Sequence, residues 1–178
     1  MRLDCPTTKP QPCIVVDSRE QTPLLFTNLP TKTATLDSGD YSIDGLTHLI
    51  AVERKSLDDL LACCGRERDR FKRELQRLRA YRFRLLVIEA DAATLEAGAW
   101  RSTLQPNHVM GSLAAWTAQS GLPVWLAGTH DAAGRFVERY LYQCARAVLA
   151  ENSSAVGLVE AGALLAVAED FFCRVVAG

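Results

Sequence analysis

Acids and a lysine standing around an apolar, β-branched run are the feature that most narrows what this chain can become. Residues 39–59 read GDYSIDGLTHLIAVERKSLDD, with Asp40, Glu53, Lys55 and Asp59 gathered around the run LIAV. Ionised groups resist burial unless they pair or bind something. The segment therefore calls for strands whose charged ends open on a cleft, balanced by ion pairs or by a bound cation.

The rest of the chain supplies an ordinary globular setting for that segment. With 48% hydrophobic and 23% charged residues, the 178-residue chain has the means to bury one sizeable core. Six cysteines show no C-x-x-C spacing, and no histidine stands where a zinc clip would need it. The opening MRLDCPTTKPQPC lacks the apolar core of a signal peptide. These features predict reduced thiols and a cytoplasmic protein, or a nuclear one if the source is eukaryotic. The most apolar stretch, AVGLVEAGALLAVAEDFF, is interrupted by Glu160, Glu169 and Asp170, which argues against a membrane span.

Periodicity predicts strands at CIVVD (13–17), GDYSI (39–43), LIAVERK (49–55), RFRLLVIEA (82–90) and LPVWLAG (122–128). Helices are expected over SLDDLLACC, which opens on a Ser56–Asp59 capping box, and over RERDRFKRELQRLRAY, with Phe71, Leu75 and Leu78 on one face. Further helices are expected near 106–120, 131–150 and 156–176. Strands alternating with helices, with two strands in hairpin succession, predict an α/β domain: a mixed central sheet flanked by helices. The expected layout is a loose arm over 1–11, the domain over 12–150, and a C-terminal helix over 151–178. That last helix would pack on the domain or form a dimer seam.

Within the hairpin, Glu53 and Lys55 project from the same side of their strand, and Arg54 from the other. The position of Asp40 depends on the turn. A two-residue turn at Asp44-Gly45 sets Asp40 opposite Leu49, roughly 13 Å along the strand from Glu53 at about 3.3 Å per residue. A four-residue loop at Gly45–His48 instead sets Asp40 directly opposite Glu53, with Cα atoms about 4.5–5.5 Å apart. Two carboxylates that close repel unless a cation lies between them. The longer loop, or a bulge with the same effect, is the expectation.

Taken in order, VDSRE (16–20), GDY (39–41) and VERKSLDD (52–59) resemble the nuclease domain of the XPF-type (ERCC4-domain) structure-specific endonucleases. The resemblance covers about residues 13–90 by motif and extends to about 150 by element order. It implies a restriction-endonuclease-like core, Mg²⁺- or Mn²⁺-dependent phosphodiester cleavage, and branched, flapped or forked DNA as substrate. The residues after 150 do not resemble the tandem helix-hairpin-helix module that usually follows this domain. The likeness is thus to a free-standing, minimal version, as expected of a bacterium or phage.

The resemblance marks Asp40 and Glu53 as metal ligands, and hard carboxylate oxygens suit Mg²⁺. It makes Asp17 a further ligand or a second-metal residue. Lys55 would orient or deprotonate the attacking water, or stabilise charge on the phosphate. Asp59 joins the catalytic set, although the capping box accounts for it equally well. Glu20 and Arg54 are supporting residues: Glu20 is either part of the motif or a surface acid paired to Arg19, and Arg54 belongs to a structural ion pair.

The net charge of −1 hides a local excess: residues 66–84 hold nine Lys/Arg against three acids. Such a patch suits phosphate contacts, and Arg66, Arg70, Lys72, Arg73 and Arg77 are the candidates for binding DNA. A solvated helix stitched by pairs such as Asp69–Arg73 is the competing account. Two other functions stay open on residues alone: a catalytically silent DNA-binding or scaffold subunit, and a ribonuclease on the same core. Partners would be DNA and either a second copy of the chain or a protein that supplies targeting.

Overall fold

The structure, a computed structural model, describes residues 11–155. Most of the expected N-terminal arm and the expected helix over 156–176 lie outside these residues.

Six strands form one mixed sheet: β1 (Ile14–Asp17), β2 (Thr31–Ala34), β3 (Tyr41–Ile43), β4 (Ile50–Lys55), β5 (Phe83–Ile88) and β6 (Val124–Leu126). Their order across the sheet is β2-β1-β3-β4-β5-β6. The three central strands β1, β3 and β4 run antiparallel to their neighbours in that trio, while β2 lies parallel to β1 and β5 and β6 continue parallel from β4. Parallel neighbours need crossovers of about a dozen residues or more, usually helical, although residues 18–30 join parallel β1 and β2 without a helix. The chain supplies α1 (Leu57–Cys64) and α2 (Arg68–Leu78) between β4 and β5, then α3 (Ala92–Ala97) and α4 (Pro106–Ser120) before β6. The last described element is α5 (His130–Ala155), which runs on past the domain end expected at 150.

Strand alternation sorts the side chains into two cores. One face carries Ile14, Tyr41, Ile43, Ile50, Val52, Leu85 and Val87, covered by Val137, Leu141 and Ala145 of α5. The other carries Ala51, Leu86 and Ile88 beneath Leu60, Phe71, Leu75, Leu78 and Trp116 of α1, α2 and α4. The apolar stripe of α2 is thus buried as its spacing predicts. Both faces of β4 and β5 are covered, which explains why those strands are nearly continuous in hydrophobic residues.

Two elements escaped the sequence reading, β2 and α3. β2 is the polar edge segment TKTA, whose residues are mostly exposed. Its neighbouring loop is anchored by Glu138 of α5, a buried acid that accepts hydrogen bonds from the amides of Asn28 and Leu29 at 2.7 and 2.8 Å. No helix of the described residues is long and apolar enough to cross a membrane.

Candidate active site

Tyr41 pairs with Val52, the register of the longer loop, and Asp40 and Glu53 line the same cleft. The Asp40 amide donates to the Val52 carbonyl at 2.7 Å, and the Asp40 Oδ2 accepts the Arg54 amide at 2.7 Å. Gly39 makes this approach possible. Its φ is +79°, and a Cβ there would stand 2.9 Å from the Val52 oxygen.

Asp40, Glu53 and Lys55 share the sheet face that α1 and α2 cover, at the edge where this cover stops. There they line a cleft with Arg19, Asp59, Arg70, Glu74 and Arg77. Glu53 is 1% exposed, and its Oε2 is buried with no hydrogen-bond partner. Its Oε1 is ion-paired with the Lys55 ammonium, which also lies 5.3 Å from the centre of the Phe71 ring.

Burial, opposed in part by the Arg54 amide and Lys55, raises the Asp40 pKa to about 6. Burial first and the Asp40 charge second hold Glu53 well above the ordinary carboxylate range. Burial alone would lower Lys55, but the charges of Glu53 and then Glu74 overcome it and keep the amine protonated. The pair of carboxylates is therefore short of positive charge, and one of its oxygens is unsatisfied. No group of three or more His, Cys, Asp or Glu side chains suited to a metal ion forms among the described residues. The donor set is the carboxylate pair itself. The orphaned Glu53 Oε2 beside a second, destabilised carboxylate fits a hard divalent cation.

The remaining expected residues, Asp17, Asp59, Glu20 and Arg54, line the same cleft and are held by partners of their own. Asp17, 3% exposed, has both oxygens filled: Oδ1 by the Arg19 amide at 2.8 Å and Nε at 2.7 Å, Oδ2 by Arg19 Nη2 at 3.0 Å and the Leu36 amide at 2.7 Å. The Arg19 guanidinium, with those amides, lowers its pKa to about 2. These bonds tie β1 to the loop that leads into Asp40. Ser56 caps α1: its Oγ accepts the Asp59 amide at 3.2 Å, and the Asp59 carboxylate accepts the Ser56 hydroxyl at 2.7 Å. Arg54 points to the opposite sheet face, as alternation predicts. It forks onto Glu89 at 2.7 and 3.0 Å, and Glu89 also meets His130 Nδ1 at 2.6 Å. Glu20 pairs with Arg54 at 3.4 Å.

The basic stretch divides by helix geometry. Arg70 and Arg77 stand seven residues, about two turns, apart on the stripe of α2 that borders the cleft. Lys72 lies elsewhere on the helix, 3.8 Å from Asp69, in place of the expected Asp69–Arg73 pair. Arg73 and Arg66 also lie outside the cleft lining, and Arg66 borders a separate hollow with Arg101. Three other cations are structural. Arg68 donates to Ser112 Oγ at 2.8 Å, Arg84 to the Tyr81 carbonyl at 2.9 Å, and Arg82 pairs with Glu151.

A family model of the ERCC4 domain matches residues 16–140. The chain belongs to the ERCC4-domain family. Among solved structures, this ERCC4 domain is similar to XPF from Aeropyrum pernix, with a TM-score of 0.61 at 18% identity over 75% of the chain. It is similar also to the same protein in complex with DNA, with a TM-score of 0.59 at 19% identity over 76% of the chain. The matches cover 61% and 66% of those longer chains. No curated protein matches by sequence. The similarity establishes the restriction-endonuclease-like α/β fold expected from the motifs.

Sequence reasoning missed Glu74 and Arg19 as cleft residues. Glu74 sits at i+4 from Arg70 and i−3 from Arg77, but only the packing of α2 tells which stripe faces the strands.

Proposed function

We propose that this ERCC4 domain is a DNA endonuclease that hydrolyses phosphodiester bonds with Mg²⁺ or Mn²⁺ held by Asp40 and Glu53. The observation that carries the reading is Asp40 and Glu53 in one cleft, with Glu53 Oε2 buried and unpartnered beside Lys55. Such an arrangement is costly in the free protein and makes sense at a site that receives a cation.

A bound divalent cation would supply Lewis-acid stabilisation and a more acidic attacking water. The chain's own residues divide the remaining work. Lys55, beside Glu53, orients or deprotonates the attacking water, or stabilises charge developing on the phosphate. Arg70 and Arg77 receive backbone phosphates along α2 and fix the strand over the cleft. Asp17 and Arg19 hold the loop that presents Asp40, and Asp59 fixes the start of α1. On the far face, Arg54, Glu89 and Glu20 lock β4, which keeps Glu53 and Lys55 in place.

That one similar structure is a complex with DNA supports DNA as the polymer. Branched or flapped DNA is the substrate class that the family motif favours. Asp40→Ala and Glu53→Ala test the reading, with cleavage and DNA binding measured side by side on the same labelled duplex and flap. Lost cleavage with binding within about threefold is expected, because α2 is untouched. Cleavage retained in both variants overturns the proposal.

A further inference from the structure

The cleft-facing stripe of α2 carries a carboxylate between two arginines. Glu74 lines the cleft with Asp40, Glu53 and Lys55. It is half-buried and forms no ion pair within 4 Å among the described residues, since Arg70 turns instead to Glu67. Three residues before it, Phe71 places its ring against the Lys55 ammonium. The same helix thus covers Lys55 with an aromatic face and brings an acid to the cleft beside it.

Lys55 faces a conflict in the proposed reaction, on which this inference rests. In the free protein its ammonium is held by Glu53 Oε1, the carboxylate that the cation also needs. A divalent ion at Glu53 withdraws negative charge from Lys55 and adds two positive charges next to it. A lysine 12% exposed has little water to fall back on.

We propose that Glu74 is a positioning residue for Lys55, the anion that keeps the ammonium in the cleft when Glu53 engages a divalent cation. Among the described residues, no group of three side chains suited to a metal ion joins Glu74 to the carboxylate pair. In this role its effect on the cation passes through Lys55. An acid on a helix meant to bind phosphate, otherwise an odd choice, gains a reason.

The test is a double-mutant cycle on Mn²⁺ affinity, read by titration calorimetry on the full chain without DNA, with folding checked by circular dichroism. Glu74→Gln keeps the shape and removes the charge. In the wild-type background it should weaken Mn²⁺ binding about tenfold, within the range of coupled neighbours. In a Lys55→Met background, with no ammonium to hold, the same change should cost less than about twofold. Lys55→Gln serves as the second background if the methionine variant does not fold. Equal losses in both backgrounds mean that Glu74 acts on the ion directly, and the positioning role falls. An unchanged affinity for Glu74→Gln in the wild-type background also overturns it, with the carboxylate site left standing. A different failure, wild type that binds no Mn²⁺ or Glu53→Gln that binds as wild type does, removes the metal site itself and this role with it.

Discussion

Replacing Asp40 by Asn should make the metal-free protein more stable while it destroys activity. The side chain keeps its shape, and an amide oxygen accepts the Arg54 N–H as the carboxylate does. What disappears is a charge that burial and the neighbouring acids oppose. The Asp40 pKa rises from 3.8 to about 6 on folding, so the folded protein binds the proton more tightly than the unfolded chain. The ionisation penalty is therefore absent below pH 3.8, grows through the interval and is complete above pH 6. At about 1.4 kcal/mol per pKa unit, that penalty is about 3 kcal/mol at pH 7.5 and about 1 kcal/mol at pH 4.5. Because Asp40 and Glu53 titrate together, the penalty belongs to the pair, and burial of the amide takes back part of the gain. The expected rise in stability is about 1–3 kcal/mol at pH 7.5, or about 3–8 °C in Tm for a chain of this size. Thermal unfolding in EDTA at the two pH values measures it. A variant no more stable than wild type at pH 7.5, or a gain that does not shrink at pH 4.5, would refute the argument that the two carboxylates are held against their own repulsion.

Asp17 should behave in the opposite sense. Its folded pKa lies below the unfolded one, so its contribution is present above pH 3.8 and is lost as pH falls toward about 2. Because the Arg19 side chain is 67% exposed, solvent screening reduces the value of that pair, and Asp17→Asn should cost about 1–2 kcal/mol at pH 7 in urea unfolding. Mn²⁺ affinity should stay within about twofold of wild type, against a large loss if Asp17 were a ligand. Arg70→Ala and Arg77→Ala should each weaken DNA binding and lower the salt slope by about one, whereas Arg68→Ala should destabilise the fold and leave the slope unchanged. Gly39→Ala meets both a positive φ and the Val52 oxygen, and should lower stability by about 2 kcal/mol or more while it displaces Asp40.

The hairpin was legible because electrostatics restricted it. Only one register sets Asp40 beside Glu53, and the structure has that register. The faces of β4 and the buried stripe of α2 followed from period alone. β2 was not legible, since TKTA lies on an exposed edge and has no apolar alternation to betray a strand. Short α3 announces itself only through its cap, with Asp91 accepting the Thr94 amide at 2.7 Å. In the candidate site, residue type was readable but direction was not. Asp17 reads as a ligand by motif, and only the two amides and the guanidinium gathered around it reveal a carboxylate already satisfied. Likewise nine cations in a row look equivalent until Arg68 is found against Ser112 and Arg84 against the Tyr81 carbonyl. His130 has no sequence neighbour to mark it, yet it completes the Arg54–Glu89 network from the start of α5.

The most direct test of the account is a cleavage assay on the full chain. Labelled flap, fork and plain duplex DNA, with a structured RNA of equal length, are incubated in Mg²⁺, Mn²⁺ or EDTA, beside Glu53→Ala. The account predicts cutting of DNA in either metal, strongest on the flap or fork, none in EDTA and none by the variant. Cutting that persists in EDTA or in Glu53→Ala would contradict it, as would a wild-type protein that binds DNA and cuts none of the substrates in either metal.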